Sequence, residues 1–240
     1  MLNMVSKRAT TIDEAHFLLL RSLFEHGSIY TIDKGSYEGH KRLEFDFATM
    51  EILHPGTRPL APTLPAGIPP VTDEESIEKY FVNYIMNTTL APNEIYRYST
   101  YISPQVPRII DMFKSHGPGT NQATISVGGI ESTAQEHPPC LRVLDFRMKD
   151  NKLHVFVYFR SWDCWGGLPE NLGGIQLLKE YIAAEIGCED GEIVAMSKGL
   201  HMYDFQWPVA YLRLNSCLPD KCVLTVDEIL LGEGWMQDGQ

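Results

Sequence analysis

Three polar residues at the two ends of a predicted β-hairpin have the right types for nucleophilic chemistry: Cys140, Arg160 and Ser161. A thiolate is a good nucleophile, and a fixed positive charge nearby favours it over the thiol. A guanidinium also binds a phosphate or carboxylate through two parallel hydrogen bonds. Taken alone, a cysteine is more often an inert core residue, so this pattern needs support from the rest of the chain.

The hairpin that must bring these residues together is well marked. Residues 141–148 and 152–160 are rich in β-branched and aromatic side chains and predict two strands. The Asp-Asn dipeptide at 150–151 tolerates the left-handed backbone of a tight turn, so the turn is expected to centre there. Antiparallel pairing about that centre would place Cys140 opposite Ser161 and beside Arg160, a neighbourhood that survives a small slip in register.

Several spaced motifs in this region resemble the catalytic core of the thymidylate synthases, which share ancestry with the pyrimidine nucleotide hydroxymethylases. In chain order they are Pro138-Pro139-Cys140, RSWDCWGGLPEN from Arg160 to Asn171, and GLHMY from Gly199 to Tyr203. The resemblance covers about residues 138–204 and is faint upstream. It implies an α+β fold of three layers, a thymidylate synthase-like mixed sheet with flanking helices. It also implies one domain over residues 1–240 and a sheet face that packs in a homodimer.

The same resemblance implies a reaction, the reductive methylation of dUMP to dTMP with 5,10-methylenetetrahydrofolate as one-carbon donor. The Cys140 thiolate would add to C6 of the pyrimidine, because C5 is a poor nucleophile until C6 is saturated. Arg160 and Ser161 would hold the phosphate. Asn171 both donates and accepts hydrogen bonds, which matches O4 and N3–H of uracil.

Further motif residues acquire expected roles from the resemblance. His201 and Tyr203 would bind the sugar hydroxyl, and Asp163 would contact the substrate and the pterin of the folate. Trp162 and Trp165 offer either a stacking surface for the pterin or a packed wall. Additional substrate contacts are expected at Gly167, Tyr98 and Arg42.

The chain departs from the family pattern at several polar positions. Asn121 and Gln122 stand where the family has two arginines that reach the phosphate bound by the neighbouring subunit. Leu141 replaces the usual His after the cysteine, and Phe159 replaces a Gln. The helical motif around the general-base glutamate is missing. Glu78 is the candidate that this chain offers for the base, although a surface charge at a helix start is the commoner role for such a residue.

Two other functions stay open at this stage. A pyrimidine nucleotide C5 hydroxymethylase would use the same scaffold and differ only in the final electron acceptor. A non-catalytic nucleotide-binding paralogue would account for the lost arginines, but the retention of Cys140 with Arg160 argues against it. A cysteine hydrolase has no local signature in the sequence.

Composition narrows the class of protein. The chain has 240 residues, of which 44% are hydrophobic and 21% charged, as is ordinary for a soluble globular protein. The net charge of −11 argues against general binding to nucleic acid or anionic membranes, so an anionic substrate needs a local basic pocket. No apolar run is long enough to span a bilayer. Five cysteines without a repeated spacing indicate a reducing cytoplasm and no zinc site.

Hydrophobic spacing and capping residues predict the remaining elements. Helices are expected over residues 11–26, 72–86, 104–114 and 168–186, and strands over 43–52, 123–127 and 193–197. A turn-rich basic stretch, 34–42, lies where the family carries a phosphate-gripping loop, although the family's Arg-Thr-Gly sequence is absent. The tail from 209 to 231 is expected to alternate between strands and turns.

Overall fold

A computed structural model describes residues 1–35, 37–89 and 97–230. Its helices and strands are, in chain order, β1 Met4–Ala9, α1 Ile12–His26, β2 Ser28–Thr31, β3 Lys41–Ile52, α2 Glu74–Tyr80, α3 Tyr98–Ile102, α4 Val106–His116, β4 Thr124–Ser126, β5 Leu141–Lys149, β6 Lys152–Phe159, β7 Trp162–Asp163, α5 Gly167–Ile186, β8 Glu189–Tyr203, α6 Trp207–Arg213 and α7 Val226–Leu230. A π-helical segment, Phe81–Met86, continues α2 directly.

The strands form one mixed sheet in the order β1-β3-β8-β6-β5-β4, with β2 added beside β3 and β7 beside β8. The β1–β3, β6–β8 and β7–β8 pairs are parallel and the other pairs are antiparallel. Helices α1 and α5 pack against the sheet and against each other. Helix α5 buries an apolar stripe that includes Leu172, Ile175, Leu178 and Ile182. This arrangement confirms the predicted α+β class with flanking helices.

The β5–β6 hairpin forms as predicted, but its register changes near the cysteine. Asp150 and Asn151 occupy the turn with φ values of 52° and 58°. The expected pairing holds up to Val143 with Tyr158 and then shifts by one residue. A β-bulge at Arg142 places an extra residue in β5, as bulges do. The predicted pairing of Cys140 with Ser161 is therefore wrong, because the shift brings Cys140 opposite Arg160, whereas the predicted position of Cys140 beside Arg160 is confirmed.

Helix α2 lies unusually close to α5 because α5 contains the pair Gly173-Gly174. A Cβ atom at Gly173 would lie 2.8 Å from Cγ2 of Ile77, and one at Gly174 would overlap the ring of Tyr80. Side chains at these positions would push the two helices apart, since protein interiors are close-packed. The two glycines thus let Tyr80 reach the first turns of α5.

Several regions differ from the sequence-based expectation. Residues after 206 form α6 and α7 rather than strands. Pro208 occupies the first turn of α6, where its missing N–H costs nothing, and Trp207 and Ala210 are buried on one face. Strands β1 and β2 are not predicted from the sequence, because both are short and Ala9 is their only buried residue. Residues 90–96, just before the expected substrate contact Tyr98, lie outside the described residues, as do the last ten positions. Within the described ranges, no helix is both long enough and apolar enough to cross a membrane.

Candidate active site

Arg160 fastens the Pro-Pro-Cys segment to the end of the hairpin. Its backbone N–H donates to the carbonyl of Cys140 at 2.8 Å. Its guanidinium donates from Nε to the carbonyl of Pro139 at 3.1 Å and from Nη2 to that of Pro138 at 2.7 Å. These bonds use two of the five N–H donors of the guanidinium, which leaves three for a ligand. The Cys140 thiol is free and half-buried.

Tyr98 contacts the residue after Cys140, and Tyr203 lies within electrostatic range of the cysteine. The N–H of Leu141 donates to the Tyr98 hydroxyl at 3.4 Å, which ties the start of α3 to the residue after the cysteine. Burial and then the charge of Asp163 raise the pKa of Tyr203 to about 12, with a smaller contribution from Cys140. Tyr203 is therefore a protonated phenol, able to donate a hydrogen bond, at neutral pH.

The Asn171 amide lies between two side chains of the core. Its Oδ1 accepts from Trp162 Nε1 at 3.0 Å, and its Nδ2 donates to the Tyr80 hydroxyl at 2.9 Å. A Cβ at Gly167 would lie 3.6 Å from Asn171 Oδ1 and 3.6 Å from Asp163 Cβ, so this glycine belongs to the same group. Asn171 retains one donor and one acceptor for a ligand.

His201 presents one unused ring nitrogen. Its Nδ1 lies 2.9 Å from the carbonyl of Gly199, which can only accept, so Nδ1 carries the proton. The other nitrogen, Nε2, is buried and has no hydrogen-bond partner among the described residues. Burial lowers the pKa of His201, which keeps the ring neutral and Nε2 an acceptor. The ring stands edge-on to Tyr203, with centroids 4.8 Å apart.

The short strand β7 places Asp163 beside His201. The two residues are partners in the β7–β8 ladder, and the N–H of Cys164 donates to the carbonyl of His201 at 2.7 Å. The Asp163 carboxylate accepts from the N–H of Trp165 at 2.9 Å and from Gln206 Nε2 at 3.1 Å. A carboxylate has about four lone-pair sites, so acceptor capacity remains on both oxygens.

Pairing between β3 and β8 brings Arg42 to the residues around His201 and Tyr203. Arg42 is opposite Tyr203 and Glu44 is opposite His201. The Arg42 guanidinium lies 2.6 Å from the Glu44 carboxylate and 4.8 Å above the ring of Tyr30. Burial raises the pKa of Glu44 although Arg42 opposes the shift. The Arg42 charge is thus shared with a carboxylate and is not free for a phosphate alone.

The basic loop before β3 is tied to the end of β8. Asp204, which follows Tyr203, accepts from the N–H of Lys41 at 2.8 Å, and its other oxygen lies 2.9 Å from His40 Nδ1. Tyr37 of the loop lies with its ring 4.7 Å from that of Tyr203. The loop therefore lies beside Tyr203, as its place in the sequence predicts. It contributes aromatic rings there as well as charged side chains.

The remaining predicted residues lie in different surroundings, and not all of them are near Cys140. Ser161 is half-buried next to Arg160. Trp162 is 4% exposed and stacks on Phe159 at 4.2 Å, an arrangement that favours the packed wall over a pterin platform. Trp165 is half-buried and lies 5.6 Å from His16. Glu78 is exposed on α2, whose buried residues are Ile77 and Tyr80, so the structure does not bring it to the others.

Two residues of this site escaped the sequence analysis. Tyr80 has the helical spacing of a core residue, and only the small Gly173-Gly174 pair signals that α2 and α5 approach closely. Glu170 precedes Asn171 on α5 and is half-buried. Burial raises the pKa of Glu170, and its charge in turn helps to raise the pKa of Tyr80. The sequence signal for Glu170 was a carboxylate that follows apolar residues of the motif directly before Asn171.

Comparisons with known proteins show the family to which the chain is related. Residues 99–227 match the family model described as thymidylate synthase. The chain is 28% identical over 206 residues to a protein of Methanosarcina mazei named "Putative thymidylate synthase", a match that covers 83% of this chain and 90% of that protein. The Methanosarcina barkeri protein of the same name is 30% identical over 210 residues, with the same coverage. A thymidylate synthase of Novosphingobium aromaticivorans is 33% identical over 100 residues, 41% of this chain and 32% of that protein. The chain belongs to the thymidylate synthase family.

Proposed function

We propose that the chain converts dUMP to dTMP by reductive methylation with 5,10-methylenetetrahydrofolate. The observation that carries this proposal is the triple attachment of Arg160 to Pro138, Pro139 and Cys140. It ties the backbone of the segment that carries the half-buried Cys140 thiol to the end of the hairpin, while the guanidinium keeps three donors free. Residues 1–240 act as one domain in this proposal, in the reducing cytoplasm that five free cysteines suit.

The substrate is a nucleotide held by groups around this thiol. The free donors of Arg160 and the Ser161 hydroxyl bind the phosphate. His201 Nε2 accepts from the sugar hydroxyl, because the neutral ring has its proton on Nδ1. The Tyr203 phenol, with its pKa raised to about 12, donates to the same hydroxyl. Asn171 donates to O4 of the base and accepts from N3–H.

The chemistry begins when the Cys140 thiolate attacks C6 of uracil. The S–C6 bond forms, and the electron pair of the C5–C6 double bond moves through C4 towards O4. The N–H of Asn171 stabilises the charge that develops on O4, as a fixed donor does best in a site from which water is largely excluded. C5 thereby becomes the nucleophile. After C5 has been substituted, a base removes its proton, the electron pair re-forms the C5–C6 double bond, the C6–S bond breaks and the thiolate is restored.

The residues present suit a folate. A pterin carries several N–H donors, and Asp163 is a half-buried carboxylate with unused lone pairs. The half-buried Trp165 beside it offers part of an aromatic face. When bound, the folate supplies the one-carbon unit and the hydride. The roles of this chain are to hold the pterin at Asp163 and to keep the substrate at Cys140.

The proposal includes a homodimer formed through the open face of the sheet. On the face opposite to α1 and α5, neighbouring strands present half-buried apolar side chains that no described helix covers: Phe47, Phe156, Tyr158, Val194 and Met196. A continuous apolar surface of this kind marks a protein interface. Sedimentation equilibrium should give twice the chain mass, and Tyr158→Glu should give a monomer.

Tritium release tests the reaction directly. The protein is incubated with [5-³H]dUMP and 5,10-methylenetetrahydrofolate, and the absorbance of dihydrofolate is followed in parallel. Release with stoichiometric dihydrofolate is the expected result. Release without dihydrofolate would indicate hydroxymethylation instead of methylation. Release from dCMP but not from dUMP would indicate that dCMP is the substrate. Binding of nucleotides without any release would make the chain a non-catalytic paralogue.

A further inference from the structure

The two partners of the Asn171 amide differ in what they can do. Trp162 Nε1–H donates to Oδ1 at 3.0 Å, and Nδ2 donates to the Tyr80 hydroxyl at 2.9 Å. An indole N–H can only donate, whereas a phenol hydroxyl can donate or accept. Tyr80 therefore accommodates either end of the amide. Trp162 alone distinguishes the oxygen of Asn171 from its nitrogen.

The Trp162 indole cannot move to accommodate a different partner. It is 4% exposed, and its ring is nearly parallel to that of Phe159, at 6° and with centroids 4.2 Å apart. Its backbone belongs to β7, where it pairs with Leu200 of β8. If the Asn171 amide turned over, Nδ2–H would face the indole N–H, and two donors would be left without an acceptor. Such unpaired buried donors are unfavourable, so the observed amide orientation is strongly preferred.

We propose that Trp162 is a positioning residue that sets the choice between uracil and cytosine. The inference rests on the proposed function, in which Asn171 contacts the base. With Oδ1 held towards Trp162, the remaining N–H and lone pair match O4 and N3–H of uracil. A turned-over amide presents a donor and an acceptor in the reverse positions, which match N3 and the amino group of cytosine. Trp162 excludes that second arrangement.

Tyr80 provides the matched control for this role. It is buried, contacts the same amide at a similar distance, and is held close by the Gly173-Gly174 pair. Burial raises the pKa of Tyr80 well above its usual value, so the hydroxyl stays protonated. Removing that hydroxyl deletes one hydrogen bond to Asn171 but leaves the donor-only partner in place. The orientation of the amide should then persist.

Calorimetric titration with dUMP and dCMP tests the proposal in wild type, Trp162→Phe and Tyr80→Phe. The preference is the Kd for dCMP divided by the Kd for dUMP. We expect Trp162→Phe to lower this ratio by about tenfold or more, because both amide orientations become available. We expect Tyr80→Phe to weaken both affinities together and to keep the ratio within about threefold. An unchanged ratio in Trp162→Phe, or an equal fall in Tyr80→Phe, would overturn the proposal.

A second variant covers the case in which Trp162→Phe does not fold. Replacing Trp162 by 3-benzothienylalanine keeps the bicyclic shape and exchanges the N–H for sulfur. The same fall in the ratio is expected, and a ratio equal to that of wild type would contradict the inference. A wild-type protein that binds neither nucleotide would overturn the proposed function and the inference together. A wild type that prefers dUMP, with unchanged preference in the modified proteins, would overturn the inference alone.

Discussion

The backbone N–H of Arg160 donates to the carbonyl of Cys140 at 2.8 Å, although an unbroken hairpin would pair Cys140 with Ser161. The bulge at Arg142 produces this change of one residue. Because of it, the Arg160 side chain starts directly across from the cysteine and reaches the carbonyls of the two prolines before it. The position of the thiol therefore depends on Arg160 through three separate hydrogen bonds.

Arg160→Lys should show that dependence. Lysine keeps the positive charge, but its donors radiate from one atom and cannot span the carbonyls of Pro138 and Pro139 while binding a phosphate. We expect kcat/KM for dUMP to fall by about 100-fold or more, a loss of roughly 3 kcal/mol in transition-state binding. Arg147→Lys, at an exposed position on β5 of the same hairpin, is the control and should retain the rate. Similar kinetics for the two variants would refute the positioning role of Arg160.

Cys140→Ala should abolish tritium release while the fold survives, because no covalent bond to C6 can form. The thiol is half-buried, so its loss should change the free energy of unfolding by only about 1 kcal/mol. Cys188→Ala is the matched control: this thiol is also half-buried, but it precedes β8 at the opposite end from His201. Denaturation curves and tritium release would be measured for both. Residual turnover at the wild-type rate in Cys140→Ala would exclude the cysteine as nucleophile.

Local sequence signals predict the hairpin and name most residues of the candidate site, whereas contacts between distant elements had to come from the structure. Asp150 and Asn151 predict their turn because few residues accept positive φ. The bulge at Arg142 leaves no such trace, since an extra residue in a strand changes neither composition nor propensity. The family motifs identify Asn171, but its partner Tyr80 depends on how closely α2 approaches α5. The pair of glycines permits this approach, but the sequence alone does not show which helix packs against it.

The identity of the general base can be tested with two carboxylates. Glu78 is exposed on α2, whereas Glu170 is half-buried next to Asn171, and burial raises its pKa. A carboxylate with a raised pKa is a better proton acceptor near neutral pH. We expect Glu170→Gln to lower kcat by about 100-fold and to remove the acidic limb of its pH profile, with Glu78→Gln much less affected. A larger loss in Glu78→Gln would return the role to that residue.

Stability should fall in mild acid because of buried neutral histidines. His16 is fully buried, and burial lowers its pKa well below 6.5, with a further contribution from the Arg213 charge. Below pH 6.5 the unfolded state binds a proton that the folded state excludes, so the free energy of unfolding decreases as pH falls towards the folded pKa. His201 acts in the same direction.

His16→Leu should therefore be less sensitive to acid than wild type. Leucine removes the titrating ring, and among the described residues only the backbone groups of Cys164 and Trp165 that face its nitrogens lose a polar neighbour. Urea denaturation between pH 5 and 8 should show a slope smaller by up to about 1.4 kcal/mol per pH unit. The exposed His54→Leu serves as control and should keep the wild-type slope. Parallel pH curves for His16→Leu and wild type would show that this histidine does not control acid stability.

Asn171→Asp should move the substrate preference from dUMP towards dCMP. An aspartate can still accept from Trp162 Nε1 and, on its other oxygen, from the Tyr80 hydroxyl, so both core partners remain satisfied. The carboxyl group loses the N–H that uracil O4 needs, but it can accept from the amino group of cytosine. We expect kcat/KM for dUMP to fall and that for dCMP to rise, changing their ratio by about 100-fold or more. Competing [5-³H]dUMP and [5-³H]dCMP in release assays measures the ratio, with Asn215→Asp in the exposed turn after α6 as control. An unaltered ratio in Asn171→Asp would mean that another residue contacts the base.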